Sequence, residues 1–512
     1  MMKKRSMALV LILILFSTLF FGCKKQTIAQ STELQKQNYN GRVFYEIFVR
    51  SFNDSNGDGI GDIKGVTQKL DYLSKDLGVT GIWLMPINDS PSYHGYDVSN
   101  YYSINKDYGT LEDFKELIKE AHKRNIKVIM DLVINHTSID NAWFKEAAND
   151  KNSKYRNYYI WADKNTDVTE GSPISPQPWT PMGEDYYYAL FWSGMPDLNY
   201  DNKDVREEMK KVAKYYLDLG IDGFRLDAAM HIYEDNNKNV QWWKEFNDYV
   251  KSQNKDAVLV GEVWDKTAVI SQYMQSLDSA FNFPEADAVM NMVNSGDVGN
   301  TAFVLTNAYE QYALKAKNYI DSPFLTNHDQ NRIMSVLNDE DKAKKAAAVL
   351  LTLPGTPYIY YGEETGMTGA KPDEKIREPF IWDNKNTKLN ASWEASTNDI
   401  NKVAVNVQSQ DKNSLLNFYK QMISLRNNSE ELKYGSFEAL DTVNTNIYAI
   451  KRTKDNNSTY VYINLNDEPA KEKIDISKAK ILYSNKRKES KLSFKGNLDI
   501  EGNEILILEK IK

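Results

Sequence analysis

The sequence contains few of the residues on which several classes of protein depend. Cys23 is the only cysteine in 512 residues, so one chain cannot form an internal disulfide, and its stability must come from its core or from bound metal. Basic residues are not in excess, because 63 Lys and Arg stand against 71 Asp and Glu, for a formal net charge of −8. This balance excludes the basic field that holds a phosphate backbone, so we expect no nucleic-acid partner.

By contrast, the chain is long and rich in aromatic residues. A chain of 512 residues is longer than one compact core usually serves, which favours two or three domains, one of them a large barrel. Aromatic residues make up 12% of the sequence, including 32 Tyr and 10 Trp. Flat aromatic faces suit the binding of sugar rings, although a large core would also account for them.

The first 40 residues have the layout of an export signal followed by a linker. Three basic residues precede an apolar stretch over 7–21, and Gly22 and Cys23 follow at once. The stretch is too short to span a bilayer comfortably, so we predict a signal peptide at 1–22 and a polar tether at 23–40. The segment resembles a bacterial lipoprotein signal, in which the cysteine is acylated. The alternative is a plain export signal with an incidental cysteine.

These features predict where the protein works. We expect a monomer that is lipid-anchored through Cys23 on the outer face of a bacterial cell membrane, or otherwise secreted. Apart from that anchor, no contact with the membrane is expected.

From residue 41 onward, short apolar segments alternate with amphipathic ones, which is typical of a parallel sheet with crossover helices. The predicted strands number eight, as in a closed (β/α)8 TIM barrel of the α/β class. They are Val43–Val49, Gly81–Met85, Ile126–Ile134, Ile221–Leu226, Ala257–Val263, Ala280–Phe283, Pro323–Thr326 and Pro357–Tyr361. Helices are predicted between them, for example at 111–124 and at 205–219, where Gly220 is expected to end the helix.

Two further units accompany the barrel. The gap after the third strand is too long for one strand–helix unit, so 137–199 is predicted to be an inserted domain on the active face. Its many aromatic residues predict a sugar-facing wall. After a helix at about 412–427, alternating segments predict an antiparallel β-sandwich domain at 429–512. The barrel itself then comprises 41–136 and 200–428.

Four motifs stand at the ends of predicted barrel strands, where barrel enzymes place their chemistry. The motifs are DLVINH at 131–136, GFRLDAAMH at 223–231, GEVW at 261–264 and FLTNHD at 324–329. They bring Asp227, Glu262 and Asp329 from three strands to one mouth. Glycosidic cleavage needs such a set, namely a nucleophile, a proton donor and a group that holds the distorted sugar. One carboxylate at a strand end is usually a cap or a surface residue, but capping does not explain three beside an arginine and two histidines.

This set of motifs resembles the α-amylase superfamily, glycoside hydrolase family 13, and the resemblance extends from about residue 41 to the C-terminus. Segments 81–86 and 195–199 match two accessory regions of that family. The resemblance implies that Asp227 is the nucleophile that forms a β-glucosyl ester. It implies that Glu262 is the general acid and then the general base, and that Asp329 stabilises the oxocarbenium-like sugar.

The resemblance also implies residues that bind substrate. Arg225 is expected to keep Asp227 ionised by charge pairing. His136 and His328 would hydrogen-bond hydroxyls of the sugar at the cleavage point, and Tyr96 would stack beneath that sugar.

Histidine usage supports these assignments without the family. The sequence has five histidines, and most of them lie within or beside the motifs. His231 closes the second motif and His94 stands next to Tyr96, so we predict that both face the substrate. His122 lies on a predicted helix and is expected to be an ordinary surface or core residue.

A candidate metal loop has the sequence DSNGDGIGD at 54–62. Alternating oxygen side chains with a glycine after the third are typical of a hard-cation loop and copy the first half of an EF-hand. Gly65 stands where an EF-hand has its last glutamate, so a helix-loop-helix sensor is excluded. The loop resembles the calcium loop after the first barrel strand of many relatives. That resemblance implies a Ca²⁺ cofactor with these ligands: Asp54, Asn56, Asp58, the Ile60 carbonyl and Asp62.

Two alternatives to calcium binding stay open. The 54–62 loop could be a simple Asp/Gly turn. A second calcium position of the family matches Asn135, Asp197 and the carbonyl of His231, although all three could be ordinary hydrogen-bonding residues.

The sequence MPDLN at 195–199 resembles the intermediary group that contains several bacterial α-amylases. Segment 92–96 also lacks the Asp-Asn that precedes Gly-Tyr in exo-acting 1,6-glucosidases. We therefore expect retaining, endo-acting hydrolysis of α-1,4-glucosidic bonds in starch and malto-oligosaccharides. The alternatives are a neopullulanase or cyclomaltodextrinase and an oligo-1,6-glucosidase. Met230 stands where amylases of the family often have lysine, which leaves product lengths and transglycosylation open. A non-catalytic, carbohydrate-binding lipoprotein is disfavoured, because such relatives typically lose one of the carboxylates.

Overall fold

The computed structural model describes residues 39–511. The predicted signal peptide, the acylation site Cys23 and all but the last two residues of the tether lie outside this range, so export and lipid anchoring stay predictions. Within 39–511, no helix combines the length and the apolar character needed to cross a membrane.

Eight parallel strands form the centre of the molecule. They are β1 (Phe44–Ile47), β2 (Gly81–Leu84), β3 (Lys127–Leu132), β4 (Gly223–Leu226), β5 (Val258–Gly261), β6 (Ser279–Phe281), β7 (Ile320–Ser322) and β8 (Tyr358–Tyr360). From β1 to β7 each strand pairs with the next, and β8 pairs with β1. The backbone N–H groups of Thr356 and Tyr358 donate to the carbonyls of Asp321 and Pro323, both at 2.9 Å, and so join β8 to β7. The sheet therefore closes, and the predicted eight-stranded barrel is confirmed.

The seventh strand lies earlier in the chain than predicted. The prediction at Pro323–Thr326 was wrong, because the strand is Ile320–Ser322. The apolar residues Phe324 and Leu325 are buried, which made them look like a strand, but they belong to the loop that enters the mouth. Asp321 and Ser322 concealed the true strand, since both are polar although both are fully buried.

Helices surround the barrel, and their ends follow the local sequence. The helix Leu111–Lys123 begins at Thr110, whose side chain and that of Asp113 form a capping box. The helix predicted at 205–219 is Lys203–Asp218, and Gly220 follows it with a φ of +102°. The other α-helices of eight or more residues are Ala142–Asn149, Asn236–Gln253, Phe283–Ser295, Thr301–Lys315, Glu340–Thr352 and Leu415–Asn428. The shorter helices, one-turn segments included, are Val49–Phe52, Ile63–Gln68, Tyr72–Leu77, Arg156–Tyr158, Thr267–Tyr273, Ile333–Leu337, Asp373–Ile376, Thr387–Leu389, Ile400–Val403, Val405–Gln408 and Glu430–Tyr434.

The barrel interior is a packed core and not a pore. Large side chains from several strands fill it, among them Phe44, Trp83, Ile129, Phe281 and Tyr358. Alternate residues of the same strands face the surrounding helices and join a second, larger core. Because both faces of the sheet are packed, the carboxyl ends of the strands are held in fixed positions.

The segment between β3 and β4 adds one small sheet and a cluster of aromatic rings. Its hairpin pairs Trp179–Met182 with Asp185–Tyr188, and an isolated bridge joins His136 to Asp197. A second hairpin, Asn88–Asp89 with Asn100–Ile104, precedes it in the chain. Most aromatic residues of the segment contact one another, as Phe144 and Trp161 do. Only Phe191 and Trp192 among its aromatic residues are strongly exposed, at 41% and 53%, and the sugar-facing wall stays a prediction.

A C-terminal antiparallel sheet follows the barrel. Its strands are β9 (Ser436–Ala439), β10 (Ile447–Lys454), β11 (Asn457–Asn464), β12 (Ala470–Lys473), β13 (Lys478–Ser484), β14 (Lys491–Ser493), β15 (Asn497–Ile500) and β16 (Ile505–Lys510). Six of them form one sheet in the order β9-β10-β11-β16-β13-β14, and β12 pairs with β15. One face of the large sheet joins the barrel's outer core, and the other joins a separate core with β12 and β15.

Candidate active site

The three predicted catalytic carboxylates all lie at the carboxyl end of the barrel. Asp227 directly follows β4 and Glu262 directly follows β5, while Asp329 lies in the loop after β7. Asp227 is 7% exposed, so its side chain is almost out of contact with bulk solvent. The barrel thus brings together residues that are separated by up to about a hundred positions in the sequence.

One buried guanidinium connects the carboxylates of β4 and β5. Arg225 is fully buried, and its Nη1 lies 2.6 Å from Oδ1 of Asp227. Its Nη2 lies 2.9 Å from Oε2 of Glu262. The expected pairing of Arg225 with Asp227 is present, and the same cation also holds the candidate proton donor.

A third carboxylate completes this ion cluster. Oδ1 of Asp131 lies 2.7 Å from Nη1 of Arg225, and its Oδ2 accepts from Nε1 of Trp83 and from the hydroxyl of Tyr96, both at 3.1 Å. Burial raises the pKa of Asp131 to about 7, although the charge of Arg225 lowers it. Sequence reasoning noted Asp131 only as the first letter of a motif. Asp131 and Arg225 lie opposite each other on neighbouring parallel strands. Aligning the predicted third and fourth strands could have identified Asp131 as a partner of Arg225.

Burial and charge shift the pKa values of the two reacting carboxylates. Burial raises the pKa of Asp227, while the charge of Arg225 and its hydrogen bond oppose that increase. Burial also raises the pKa of Glu262, Arg225 opposes it, and the negative charges of Asp227 and Asp329 raise it further. The pKa values of both carboxyl groups are thus raised, and Glu262 is the one whose pKa both Asp227 and Asp329 raise further.

The residue after Asp227 has a strained backbone conformation, and it donates a hydrogen bond to this cluster. Ala228 has a φ of +46°, in the left-handed region, which costs a residue other than glycine roughly 1 kcal/mol or more. In this conformation its N–H donates to Oε2 of Glu262 at 2.9 Å. The strained residue thus links the two carboxylates through the backbone.

Two cationic side chains, His328 and Arg377, lie beside Asp329. Nε2 of His328 lies 3.0 Å from Oδ2 of Asp329, and Nη2 of Arg377 lies 2.8 Å from its Oδ1. Burial alone would raise the pKa of Asp329, but these two cations hold it well below its ordinary value. Arg377 also donates from Nε to the carbonyl of His328 at 2.9 Å. Sequence reasoning missed Arg377, because it is 48 residues away in the chain and lies outside the four motifs.

The imidazole of His328 lies between two carboxylates. Its Nδ1 lies 2.5 Å from Oε1 of Glu46, a fully buried residue of β1 that sequence reasoning also missed. Burial lowers the pKa of His328, but the charges of Asp329 and Glu46 more than offset this and raise it to about 10. The ring is consequently an imidazolium at neutral pH.

The predicted substrate-binding residues line the same mouth. The ring of Tyr96 stacks on His328 at 5.5 Å, and its hydroxyl lies 2.6 Å from Nε2 of that histidine. Nε2 of His136 lies 3.1 Å from the carbonyl of Tyr96, and burial lowers the pKa of His136 to about 4. His94 and His231 are less buried, and burial lowers the pKa of each. All four histidines and Tyr96 therefore belong to one region, and their roles in binding stay predictions.

Two exposed aromatic residues border the mouth. Trp264, two residues after Glu262, is 47% exposed and stacks on Phe283 with 4.6 Å between ring centroids. The ring of Phe191 lies 5.6 Å from those of both His136 and His231. Both rings are exposed to solvent, Phe191 beside two histidines of the mouth and Trp264 close in sequence to Glu262.

The residues of the 54–62 loop adopt a compact turn. Asp54 is buried, and its carboxylate accepts backbone N–H groups of the loop, including that of Gly57 at 2.6 Å. Asp62 caps the following helix through the N–H of Gly65 and also accepts from Ser55. Within 39–511, no three His, Cys, Asp or Glu side chains form a metal-binding group. The loop's donor set is wider, because the Asn56 amide and the Ile60 carbonyl supply neutral oxygens of the kind that calcium accepts.

At the second proposed calcium position, the side chains of Asn135 and Asp197 contact each other directly. Nδ2 of Asn135 donates to Oδ2 of Asp197 at 3.2 Å, and the N–H of Leu190 donates to its Oδ1 at 3.1 Å. Burial raises the pKa of Asp197 to about 7. These bonds join the barrel to the inserted segment and fit the ordinary hydrogen-bonding alternative.

Comparisons with known proteins agree on the family of the fold. The model of the alpha-amylase catalytic domain matches residues 46–435. The chain is 43% identical to alpha-amylase 3 of Dictyoglomus thermophilum over 98% of this chain and 96% of that protein. It is 36% identical to a 4-alpha-glucanotransferase of Thermotoga neapolitana over 78% of this chain and 90% of that protein. The crystal structure of an alpha-amylase from H. orenii superimposes with a TM-score of 0.87 at 45% identity, covering 92% of this chain and 99% of that one.

We expect the imidazolium of His328 to stabilise the fold in a pH-dependent way. His328→Gln leaves Glu46 buried without its cation, which should lower the free energy of unfolding by about 3 to 5 kcal/mol at pH 6. Because the folded pKa of about 10 lies above that of an unfolded histidine, this contribution should be lost as the pH rises towards 10. Urea titrations of both proteins between pH 6 and pH 10 measure it.

The matched control is His122→Gln, since His122 is 39% exposed and pairs with Asp222 at 2.7 Å. That change should cost less than about 1 kcal/mol. A difference between parent and His328→Gln that stays constant up to pH 10 would contradict the assignment of a charged His328.

Proposed function

Because the chain belongs to the alpha-amylase family, glycoside hydrolase family 13, we propose that it hydrolyses internal α-1,4-glucosidic bonds of starch and malto-oligosaccharides with retention of configuration. The observation that carries the proposal is the arrangement of Asp227 and Glu262 on one buried guanidinium, with Asp329 held by His328 and Arg377. A set of three carboxylates with two distinct cation environments supports acid–base and nucleophilic roles in a single mouth.

The reaction proceeds in two displacements. Glu262 donates its proton to the glycosidic oxygen while a carboxylate oxygen of Asp227 attacks the anomeric carbon, so that the leaving glucan departs and a β-glucosyl ester forms. Glu262, now ionised, takes a proton from water, and that water attacks the anomeric carbon. The bond to Asp227 breaks, the α-anomer leaves, and Glu262 is protonated again.

The surrounding residues stabilise the charge that develops during these steps. Arg225 favours the ionised form of Asp227, which can then act as a nucleophile. The depressed pKa of Asp329 keeps its carboxylate negative beside the positively charged sugar. Tyr96 provides a flat face beneath the ring, while His136 and His328 offer hydrogen bonds to its hydroxyls.

Glucanotransferase activity is the second candidate function. It uses the same glucosyl ester, which a second sugar attacks in place of water. The 36% identity to a protein named 4-alpha-glucanotransferase favours it, as does Trp264, whose exposed ring lies two residues from the proton donor and can hold an acceptor. Met230 replaces the lysine that is frequent in hydrolytic relatives on the leaving-group side.

Product analysis distinguishes these functions. Release of reducing ends from soluble starch by the parent, and its loss in Asp227→Asn, would support hydrolysis. Maltoheptaose converted into both longer and shorter chains would indicate transfer, and panose from pullulan would indicate a neopullulanase. Absence of any release or transfer by the parent would leave a carbohydrate-binding protein.

Our proposal includes a structural calcium ion in the 54–62 loop. The side chains of Asp54, Asn56, Asp58 and Asp62 and the carbonyl of Ile60 would hold it, and the ion would neutralise the carboxylates of this turn. The oxygen-only donor set, with a mixture of charged and neutral groups, supports calcium over a softer metal.

A calcium ion that binds only the native state should raise its stability. We expect chelator to lower the melting temperature of the parent, and added calcium to restore it. Asp58→Ala should melt at the chelated temperature with or without calcium, whereas Asp163→Ala, an exposed aspartate elsewhere, should respond like the parent. An unchanged melt after verified removal of metal would exclude a structural calcium. Lost activity with an unchanged melt would place the metal in the cleft.

Retention of configuration gives the mechanism a direct test. Double displacement requires the two carboxyl groups about 5 to 5.5 Å apart, while inversion requires about 6.5 to 9.5 Å to admit water. Proton nuclear magnetic resonance of a fresh hydrolysate should therefore show the α-anomer before mutarotation. Initial β product would rule out Asp227 as the nucleophile.

The pH dependence of the rate should be bell-shaped. The rate rises as Asp227 ionises and falls as Glu262, whose pKa is raised by burial and by neighbouring carboxylates, loses its proton. The two apparent values belong to the coupled site and not to single residues. Glu262→Gln has no titrating acid, so its residual rate on an activated aryl maltoside should lack the alkaline limb. If that limb persisted in the glycosylation step, Glu262 would not be the acid.

A further inference from the structure

Two acidic side chains are buried side by side in the wall of the barrel. Asp321 is the middle residue of β7, and Glu285 lies in the first turn of the helix Phe283–Ser295. Their exposed fractions are 0% and 1%. Since Ile320 belongs to the barrel interior and side chains alternate along a strand, Asp321 points outward, towards the helices. Acidic residues are seldom buried so completely without a partner, and the proposed reaction uses neither of them.

A single asparagine holds the two carboxyl groups together. Nδ2 of Asn282 donates to Oε2 of Glu285 at 3.3 Å and to Oδ1 of Asp321 at 3.2 Å. This amide has one possible orientation, because its Oδ1 accepts the backbone N–H of Glu285 at 3.3 Å. The two acidic side chains also contact each other, each as a hydrogen-bond partner of the other. The structure therefore fixes an acid–acid pair.

One oxygen of each carboxyl group has no donor. Oε1 of Glu285 and Oδ2 of Asp321 are buried and have no hydrogen-bond partner within 39–511. The other oxygen of Glu285 also accepts from the hydroxyl of Tyr309, at 2.7 Å. Buried oxygens without a partner cost free energy. One proton between the two oxygens would satisfy both, because one carboxyl group would then donate to the other.

The pair is not balanced by a cation. Among the described residues, no basic side chain is one of the groups that act on the pKa of Glu285 or of Asp321. Arg452 of β10 donates to the backbone carbonyls of Thr352 and Gly435 instead. Burial raises the pKa of both acids, and the negative charge of Asp321 raises that of Glu285 further. Two charged carboxylates in contact would thus be strongly disfavoured.

The other titratable groups that interact with the pair are tyrosines. Tyr309 and Tyr312 come from the helix Thr301–Lys315, Tyr319 precedes β7, and Tyr448 belongs to β10. Burial raises the pKa of each of these hydroxyl groups well above the ordinary tyrosine value. They remain neutral in the range in which the carboxyl groups titrate, so a pH response of this cluster must come from the two acids.

We propose that Glu285 and Asp321 share one proton in the folded protein, and that the barrel wall is therefore sensitive to alkali. Glu285 donates the proton as a neutral acid, and Asp321 accepts it as a carboxylate. When the pH rises far enough to remove this proton, two like charges are left buried in contact and the fold is destabilised. The fold thus has an alkaline limit that is separate from the titration of Glu262. This inference does not rest on the proposed catalytic function.

The test is urea unfolding of the parent and of Glu285→Gln between pH 6 and pH 9. The glutamine amide can donate to Asp321 at every pH, so it replaces the shared proton. In the unfolded chain both acids are ionised over this range, so folding of the parent takes up a proton that folding of the variant does not. Because the folded pKa is the raised one, this stabilisation is present at low pH and is lost as the pH rises. Relative to the variant, the folded-to-unfolded ratio of the parent should fall by up to about tenfold per pH unit.

The matched control is Glu310→Gln, because Glu310 is exposed on the helix Thr301–Lys315 and the change removes the same charge. This variant should respond to pH like the parent. Starch hydrolysis at pH 6 should be equal in all three proteins, so a failure of the catalytic proposal would be seen separately. If Glu285→Gln does not fold, Asp321→Asn allows the same comparison, since its amide would donate to Glu285.

Infrared spectroscopy gives a direct second measurement. At pH 8 the parent should show the C=O band of a protonated carboxyl group that Glu285→Gln lacks, while bands of other protonated acids cancel in the difference. Equal bands in the two proteins would overturn the proposal, as would a stability difference that is the same at pH 6 and at pH 9. A third contrary result concerns metal ions at constant ionic strength. If sodium or calcium stabilised the parent at pH 9 but not Glu285→Gln, a metal ion and not a proton would join the two acids.

Discussion

The structure of the mouth depends on one buried cation, the guanidinium of Arg225. A charge without solvent is stable only if opposite charges surround it, and Asp131, Asp227 and Glu262 do so from three adjacent strands. The constraint is mutual, because each carboxylate lies within 2.9 Å of the same guanidinium. The register of β3, β4 and β5 must therefore be maintained closely, and the packed barrel interior maintains it. Fold stability and site geometry consequently have a common origin.

A second cationic centre makes the three carboxylates of the mouth unequal. His328 and Arg377 lower the pKa of Asp329, whereas Glu262 has one shared cation and two negative neighbours that raise its pKa. Environments that push the pKa values of two carboxyl groups apart allow one group to hold a proton while the other stays ionised. The difference arises from placement alone, since the side chains are chemically alike. Glu46, far away in the sequence, contributes by keeping His328 charged.

The sequence allowed the barrel and the strand-end carboxylates to be predicted, because alternating apolar segments and polar residues at their ends are local signals. Asp131, Glu46 and Arg377 were not predicted as parts of the site, since their importance comes from partners on other strands or loops. Asp131 acts through Arg225, 94 positions later, and Glu46 through His328, 282 positions later. The error at β7 has a related cause. Polar residues that are buried by tertiary contacts look exposed in a sequence, and apolar loop residues look like strand.

The division between buried and exposed residues explains why the family is clear while the specificity is open. The glucosyl ester proposed on Asp227 would be common to hydrolysis and transfer, so the buried ion clusters do not distinguish the two reactions. What receives the glucosyl group must be decided by side chains that solvent can reach, because water and a second sugar compete there. Phe191, beside His136, and Trp264, two positions after Glu262, are large exposed rings near these residues. Each of these rings can be substituted without unpairing a buried charge. The preference for water or for a second sugar as acceptor can therefore change while the buried ion clusters remain intact.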